Sequence, residues 1–298
     1  MNMPAQDPIR LAIAEAVQQV HDTTPMAPSF TNFVTINLVA NAQLACGGSA
    51  AMSFLSNEFS AVAALAKAAY INVGTLMPSY PDALRAITAD LKESGKPWVL
   101  DPVAAGLGAT RTNILMDMRH NPPTIVRGNA SEIIALASMW GLIEGSSSNG
   151  PEGVESADDV QSAIEPARLL ARFLAQHSPD GKAAVAVSGE TDLVTDGTRT
   201  FRLPGGSPLM TKITGAGCSL GGVTAVYLCV AEPLIAALAA SALYNVAAEC
   251  AVRTLTSYTK VNPDTVALGP GTFQPAFLDA LAAATPEQVA SATLLEDK

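Results

Sequence analysis

Four short apolar runs alternate with longer helix-like stretches in the middle of the chain, and this alternation restricts the fold more than any other feature. Each run is apolar along its whole length, which is typical of a strand buried on both faces. Such strands separated by helices predict a mostly parallel sheet with helices packed on both sides, an α/β fold. The runs are 69–74, 98–100, 124–126 and 183–187, and helices are expected at 82–92, 130–140 and 157–176.

The pattern changes near residue 192. Two β-rich segments, 193–195 and 198–203, flank the dipeptide Asp196-Gly197, which is typical of a hairpin turn. We therefore expect a β-hairpin at this point. Further along the chain we expect a strand-like stretch at 211–214, two helices separated by Pro233, and a last helix from about Pro275.

The chain contains no internal repeat and no segment typical of an interdomain linker. This favours a single domain over residues 1–298. The serine-rich stretch 144–153 is typical of a mobile surface loop. We expect roughly the first 25 and the last 14 residues to be peripheral.

The composition excludes several functional classes. The longest apolar region, 220–248, is interrupted by Glu232 and Pro233, so neither half is expected to span a membrane. The N-terminal segment lacks a secretory-signal pattern. A net charge of −10 without a Lys/Arg cluster argues against nucleic-acid binding. The four cysteines show no Cys-x-x-Cys spacing and there are three histidines, so we expect no zinc site, reduced thiols and a cytoplasmic protein.

Polar and charged side chains follow three of the expected strands where each strand ends. Asp101 comes after one strand, Arg127 and Asn129 after the next, and Ser188 after the third. Ligands of open parallel sheets bind beyond the carboxyl ends of the strands. We therefore expect these side chains, together with the glycine-containing turn at 215–218, to form one site.

That turn reads Gly215-Ala216-Gly217-Cys218 and precedes a small, apolar, helix-like run. The backbone amides of a glycine turn at a helix N-terminus can bind a phosphate or a developing anion. A cysteine in the first helical turn is expected to favour the thiolate. The alternative is a tight turn beside a buried cysteine.

The side chains at the strand ends suggest a nucleotide site. Asp101 and Glu132 could hold Mg²⁺ beside phosphates, and Arg127 could bind a phosphate through two parallel hydrogen bonds. Ser188 could place its hydroxyl near the nucleotide. Each has a structural alternative: Asp101 as a turn cap, Asn129 and Glu132 as a helical capping box, and Ser188 as an ordinary strand exit.

An apolar segment near the N-terminus contains three asparagines, Asn32, Asn37 and Asn41, and leads to Met52. Buried amides need hydrogen-bond partners. These amides would suit an uncharged heterocyclic substrate, with Met52 as an apolar wall. The alternative is that the asparagines cap helices and Met52 belongs to the core.

In order and spacing these motifs resemble the hydroxyethylthiazole kinase family, thiamine-salvage enzymes of the ribokinase-like superfamily. The resemblance implies a three-layer α/β/α fold, ATP and Mg²⁺, and a homotrimer with substrate sites at the subunit interfaces. The residues that carry it are Thr31-Asn32, Asn37, Ala40-Asn41, Gly47-Gly48-Ser49, Met52, Asn72-Val73-Gly74, Asp101-Pro102-Val103, Arg127 to Glu132, Ser188-Gly189-Glu190, Thr214 to Cys218 and Gly269-Pro270-Gly271.

The resemblance also implies roles for individual residues. Met52 and Gly215 would contact the thiazole, Arg127 and Ser188 the nucleotide, and Cys218 the accepting hydroxyl. The reaction would convert 4-methyl-5-(2-hydroxyethyl)thiazole and ATP to the thiazole phosphate and ADP. In it, the 215–217 amides would steady the transferring phosphoryl group and Cys218 would assist deprotonation of the alcohol.

Two other functions remain open from the sequence. The chain could phosphorylate another small heterocyclic alcohol, such as a hydroxymethylpyrimidine. It could also be a catalytically idle paralogue that binds thiazole or nucleotide.

Overall fold

The computed structural model describes residues 4, 6–144, 160–261 and 268–297. In this part of the chain, one nine-stranded sheet has the strand order β2-β1-β3-β4-β5-β6-β7-β8-β9. The strands from β2 to β6 are parallel, and β6 to β9 pair antiparallel. The strands are β1 Met26–Phe30, β2 Ser49–Met52, β3 Ala69–Asn72, β4 Trp98–Asp101, β5 Ile125–Asn129, β6 Ala184–Ser188, β7 Thr191–Thr195, β8 Thr200–Pro204 and β9 Leu295–Glu296.

Helices cover both faces of the sheet, because successive strand residues point to opposite sides. Tyr70 and Val99 pack with one helical layer, which includes α1, α2, α8 and α9. Their neighbours Ile71 and Leu100 pack with the other, formed by α3 to α7. The expected three-layer α/β/α arrangement is therefore confirmed. The helices are α1 Pro8–Thr23, α2 Ile36–Ala45, α3 Ser56–Leu65, α4 Tyr80–Glu93, α5 Ala109–Met118, α6 Ala130–Met139, α7 Ile164–His177, α8 Ala216–Leu228, α9 Pro233–Val261, α10 Pro270–Ala283 and α11 Pro286–Ala290.

The α9 helix is the longest helix of the described residues. Its segment Pro233–Tyr258 is long and apolar enough to cross a membrane, but 72% of the apolar window is buried inside the protein. Burial of this extent is typical of a core helix of a globular domain. The helix lies against the sheet, with Leu238 and Leu243 in the core.

The prediction of a strand at 211–214 is wrong. Residues Pro208–Lys212 form a 3₁₀ helix, and the Ser207 hydroxyl accepts a hydrogen bond from the Leu209 amide at its start. β-Branched residues favour strands only where a neighbouring strand is available for pairing. No described strand pairs with this segment, which instead leads directly into the turn before α8.

Both terminal segments contribute more than the peripheral role expected from the sequence. In α1, Ile13, Val17 and Val20 are buried in the core. Strand β9 extends the sheet, with Glu296 opposite Phe201. Residues 145–153 of the expected surface loop lie outside the described part of the chain.

The packing of α1 can be tested by truncating one side chain. Ile13 is 2% exposed, and Ile13→Ala should lower the free energy of unfolding by about 2–5 kcal/mol through lost burial and a residual cavity. Leu11 on the same helix is 57% exposed, so Leu11→Ala should change it by about 0.5 kcal/mol or less. Urea denaturation followed by circular dichroism measures both. Equal, small effects would show that α1 does not belong to the core.

Candidate active site

The carboxyl ends of the central strands bring the expected polar side chains together. Asn72 at the end of β3 is paired in register with Asp101 at the end of β4. In the same way Asn129 on β5 lies opposite Ser188 on β6. The first turn of α8 reaches this edge, because the carbonyl oxygen of its Cys218 is 2.8 Å from the Tyr70 hydroxyl.

Asp101 is at the centre of the cluster and is fully buried. Its Oδ2 accepts hydrogen bonds from the Tyr70 hydroxyl at 3.1 Å and from Asn72 Nδ2 at 3.0 Å. Arg127 Nη1 lies 3.6 Å from the same oxygen. The other oxygen, Oδ1, has no hydrogen-bond partner. Burial raises the pKa of the Asp101 carboxyl, and the Arg127 charge opposes that rise.

Arg127 links the carboxylate to the next strand and to α8. Its Nη2 donates to the Ser188 hydroxyl over 2.7 Å. Burial lowers the pKa of this guanidinium, but the negative charges of Asp101 and Glu132 raise it. The pKa of Arg127 therefore lies above the ordinary value. A Cβ at Gly217 would lie 2.5 Å from Nη1, so only glycine lets the guanidinium rest against the turn. An arginine placed between a hydroxyl and helix amides is well suited to a phosphate.

Asn129 and Glu132 form the capping box of α6. The Asn129 side chain accepts from the Glu132 amide at 2.9 Å, and Glu132 Oε2 accepts from the Asn129 amide at 2.8 Å. The second Glu132 oxygen accepts from the amide of Ala104, at 2.9 Å. Burial, and then the charge of Asp101, raises the pKa of the Glu132 carboxyl to about 7. The capping box expected as the structural alternative is thus present. The charge of Asp101 still acts on the Glu132 carboxyl.

The turn before α8 leaves backbone donors available. Gly215 is the N-cap residue with a φ of 90°, and no side chain caps the helix. The first amides of a helix have no partners within it, and the helix dipole adds positive potential there. A Cβ at Gly215 would lie 2.8 Å from the Cβ of Thr35, so the absence of a side chain also allows α2 to approach. The turn therefore has the geometry expected of an anion site, and anion binding there stays a prediction.

The expectation that Cys218 favours the thiolate is wrong. Burial, and then the charge of Asp101, raises the pKa of its thiol to about 11. These two effects outweigh the nearby Arg127 charge, which lowers the pKa. The Cys218 side chain is therefore a neutral thiol at neutral pH. Asn32 Nδ2 lies 3.8 Å from its sulfur as a weak hydrogen-bond donor.

The N-terminal asparagines divide into two groups. Asn32 joins the cluster, since its Nδ2 donates to Asn72 Oδ1 over 2.9 Å, and its Oδ1 accepts from the Thr35 amide. Asn37 is exposed and accepts from Asn41 one helical turn later. Met52 is half-buried at the end of β2 and packs against the core.

Sequence reasoning did not assign roles to three side chains near the centre of the cluster. They are Tyr70, Asn72 and Thr35, whose buried hydroxyl has no hydrogen-bond partner. For Asn72 a signal was present, because it is a polar residue at the end of an apolar strand, like Asp101. For Tyr70 the sequence carries no such signal, since an aromatic residue inside a strand is typical of a core.

The residues present fit a metal only in combination with a bound substrate. Within the described ranges, no group of three or more His, Cys, Asp or Glu side chains could hold a metal ion alone. Asp101 Oδ1 is nevertheless buried and unpartnered. Burial also raises the pKa of the Asp101 and Glu132 carboxyls, and a divalent cation beside them would favour their charged forms.

Known proteins match this chain over most of its length. The model of the hydroxyethylthiazole kinase family matches residues 17–287. A hydroxyethylthiazole kinase from Bifidobacterium adolescentis is 60% identical over 97% of this chain and 95% of its own length. The solved structure of hydroxyethylthiazole kinase from Pyrococcus horikoshii OT3 is 30% identical, with a TM-score of 0.80 over 96% of this chain and 99% of that chain.

A more distant likeness concerns the fold alone. A ribokinase-like superfamily protein from Enterococcus faecalis V583 is 12% identical, with a TM-score of 0.52 over 91% of this chain and 95% of that one. The ribokinase-like fold expected from the sequence is therefore confirmed.

The protonation of Cys218 can be tested by alkylation. Because the thiolate is the reactive form, the rate of its reaction with iodoacetamide should rise about tenfold per unit between about pH 7 and pH 9. Mass spectrometry of the peptide that contains Cys218 measures the rate, and Cys218→Ala confirms the peptide assignment. A rate that levels off below about pH 8 would instead indicate a stabilised thiolate.

Proposed function

The chain belongs to the hydroxyethylthiazole kinase family, and we propose that it transfers the γ-phosphoryl group of ATP to the primary alcohol of 4-methyl-5-(2-hydroxyethyl)thiazole. The products are ADP and the thiazole phosphate, a step of thiamine salvage. One observation carries the proposal: Asp101, Arg127 and Glu132 lie together beside the uncapped N-terminus of α8. This arrangement suits a transferring phosphoryl group between a nucleotide and an acceptor. We place the reaction in the cytoplasm, where ATP is available.

The nucleotide phosphates occupy the space between β5, β6 and α8. Arg127 and Ser188 already share a hydrogen bond of 2.7 Å, so both can turn a donor toward a phosphate with little reorganisation. Asn129 lies at the same strand end and holds the start of α6. The amides of Ala216 and Gly217 then face the transferring phosphoryl group.

A kinase of this family would use Mg²⁺ with ATP, and Asp101 and Glu132 would be the residues that hold it. Asp101 supplies the unpartnered Oδ1. Glu132 has both oxygens bonded to backbone amides and would act through water. The ion supplies positive charge that offsets the charge on the phosphates during transfer. The two carboxylates, in turn, fix where that charge lies relative to Arg127.

The thiazole lies at the opposite side of the turn, near Asn32, Gly215 and Met52, with Asn37 at the edge of this region. The accepting hydroxyl lies near Cys218. A thiol with a pKa of about 11 cannot serve as the resting base, so Cys218 orients the hydroxyl as a hydrogen-bond partner. In a loose transition state, the accepting alcohol needs little deprotonation before the phosphorus–oxygen bond to ADP breaks. The alcohol proton then passes, late in the step, to an oxygen of the transferred phosphoryl group.

The protein is a homotrimer whose sites lie at the subunit interfaces. An apolar patch adjoins the substrate region: Phe33 is 51% exposed, Val34 63% and Leu55 64%. The Phe33 ring contacts the Phe54 ring with centroids 4.5 Å apart, which joins the two segments into one surface. Exposed apolar patches next to an edge strand mark interaction surfaces. A neighbouring subunit would cover this patch and close the substrate region beside Asn32.

The reaction is tested by measuring ADP release with ATP and Mg²⁺. We expect kcat/KM for the hydroxyethylthiazole to exceed that for a hydroxymethylpyrimidine by about tenfold or more, because the two alcohols differ in the groups that the pocket must satisfy. The control is ADP release without any alcohol. Faster turnover of the pyrimidine would change the substrate, and no turnover of either alcohol would favour an idle binding protein.

The assembly is tested by light scattering and by one matched pair of variants. The wild-type mass should be about three times the 30.6 kDa of the chain. Val34→Asp introduces a charge into the patch and should give monomers with lost thiazole turnover. Met116→Asp, at a residue 40% exposed on α5 outside the patch, should remain a trimer. A wild-type protein that is monomeric at micromolar concentration would contradict the proposal.

A further inference from the structure

Tyr70 on β3 lies directly under the first turns of α8. The residue is fully buried, and its ring lies on the face of the sheet that α8 covers. A Cβ at Gly221 would be 2.5 Å from Cε2 of the ring. Gly221 thus allows the helix to rest on the tyrosine ring, in the same way that Gly217 allows it to rest on Arg127.

The Tyr70 hydroxyl has three polar neighbours. It accepts a hydrogen bond from Asn72 Nδ2 at 3.1 Å. It faces two acceptors, the Cys218 carbonyl oxygen at 2.8 Å and Asp101 Oδ2 at 3.1 Å. A hydroxyl carries a single proton, so it donates to one of them at a time. The tyrosine therefore joins the helix N-terminus and the carboxylate through one atom.

Asn72 completes this arrangement. Its amide nitrogen carries two protons, which reach the Tyr70 hydroxyl and Asp101 Oδ2. Its oxygen accepts from Asn32 Nδ2 and from the Gly74 amide, both at 2.9 Å, so the amide orientation is determined. Every hydrogen bond given to Asp101 thus reaches Oδ2, while Oδ1 stays unpartnered.

We propose that Tyr70, supported by Asn72, is a positioning residue of the phosphoryl-transfer site, because it fixes Asp101 relative to the N-terminal turn of α8. The inference rests on the proposed function. The turn would bind the phosphoryl group through its amides, and Asp101 would hold the accompanying Mg²⁺ through its free oxygen. Rates of such reactions fall steeply when the reacting groups are misplaced by about 1 Å. Tyr70 sets this separation without touching the substrates.

The test compares two Tyr→Phe variants in the full-length protein. Tyr70→Phe removes the hydroxyl that joins Asp101 to α8. Tyr244→Phe is the matched control, because its buried hydroxyl also donates to α8, at Ser219 Oγ over 2.9 Å, one residue from Cys218. Both variants lose one buried hydrogen bond to the same helix, but only Tyr70→Phe also removes the contacts with Asn72 and Asp101.

Two readouts separate positioning from packing. For Tyr70→Phe, kcat should fall about 10- to 100-fold while KM for ATP and for the thiazole stays within about threefold. The affinity for Mn²⁺ in the presence of ADP, measured by electron paramagnetic resonance, should weaken about fivefold or more because Asp101 is less constrained. Tyr244→Phe should stay within about twofold of wild type in both. Thermal melting shows that both proteins are folded.

A second pair of variants allows the same test if Tyr70→Phe does not fold. Gly221→Ala retains the hydroxyl but displaces the ring, and it should lower kcat in the same way. Gly222→Ala, its neighbour on the helix, would place a Cβ 2.8 Å from Val39 Cγ1 instead and should retain kcat.

The inference is overturned if Tyr70→Phe, or Gly221→Ala in its place, retains wild-type kcat and Mn²⁺ affinity. It is also overturned if the matched control loses as much as the variant that it accompanies. A wild-type protein without kinase activity would refute the proposed function instead. The Mn²⁺ measurement would still show whether Tyr70 positions Asp101.

Discussion

The close approach of α8 to the sheet is the constraint on which the rest of the site depends. The helix lies so near Arg127 and Tyr70 that a Cβ at Gly217 or at Gly221 would come within 2.5 Å of their side chains. Overpacking of a dense interior by even one methyl group typically costs about 1–3 kcal/mol. Because glycine has no such methyl group, the helix N-terminus can lie beside Asp101. A phosphoryl group bound there would need both the helix amides and the carboxylate.

The buried charges show what this approach costs the folded chain. Asp101 and Glu132 both lie near Arg127, and Arg111 also interacts with Glu132, yet burial raises the pKa of both carboxyls. Buried ion pairs rarely stabilise a fold more than apolar packing would. A buried carboxylate with an unpartnered oxygen is therefore better explained by a cationic ligand than by stability. Burial, together with the charge of Asp101, keeps Cys218 a thiol, so Asp101 affects both the metal side and the acceptor side of the site.

Much of the fold was predictable from the sequence, and the exceptions have physical reasons. Strands β3 to β6 and the hairpin were recognisable, because they are uniformly apolar or flank an Asp-Gly turn. The edge strand β2 was not, since its sequence Ser-Ala-Ala-Met has little β-propensity, and β1 contains Pro28. These strands form because a neighbouring strand is already in place to pair with them. The strand predicted at 211–214 was wrong for the opposite reason, because the segment has β-branched residues but no described strand pairs with it.

The sequence by itself determined which polar side chains gather at the sheet edge and that Asn129 and Glu132 cap α6, because strand order and capping depend on local patterns. Only the tertiary structure decided how these groups act on one another. Tyr70 and Cys218 are 148 residues apart in the chain, yet one hydrogen bond joins them. The protonation of Cys218 likewise follows from burial and from Asp101, not from its place in the helix. Such effects depend on distances across packed elements, and no local pattern of residues encodes those distances.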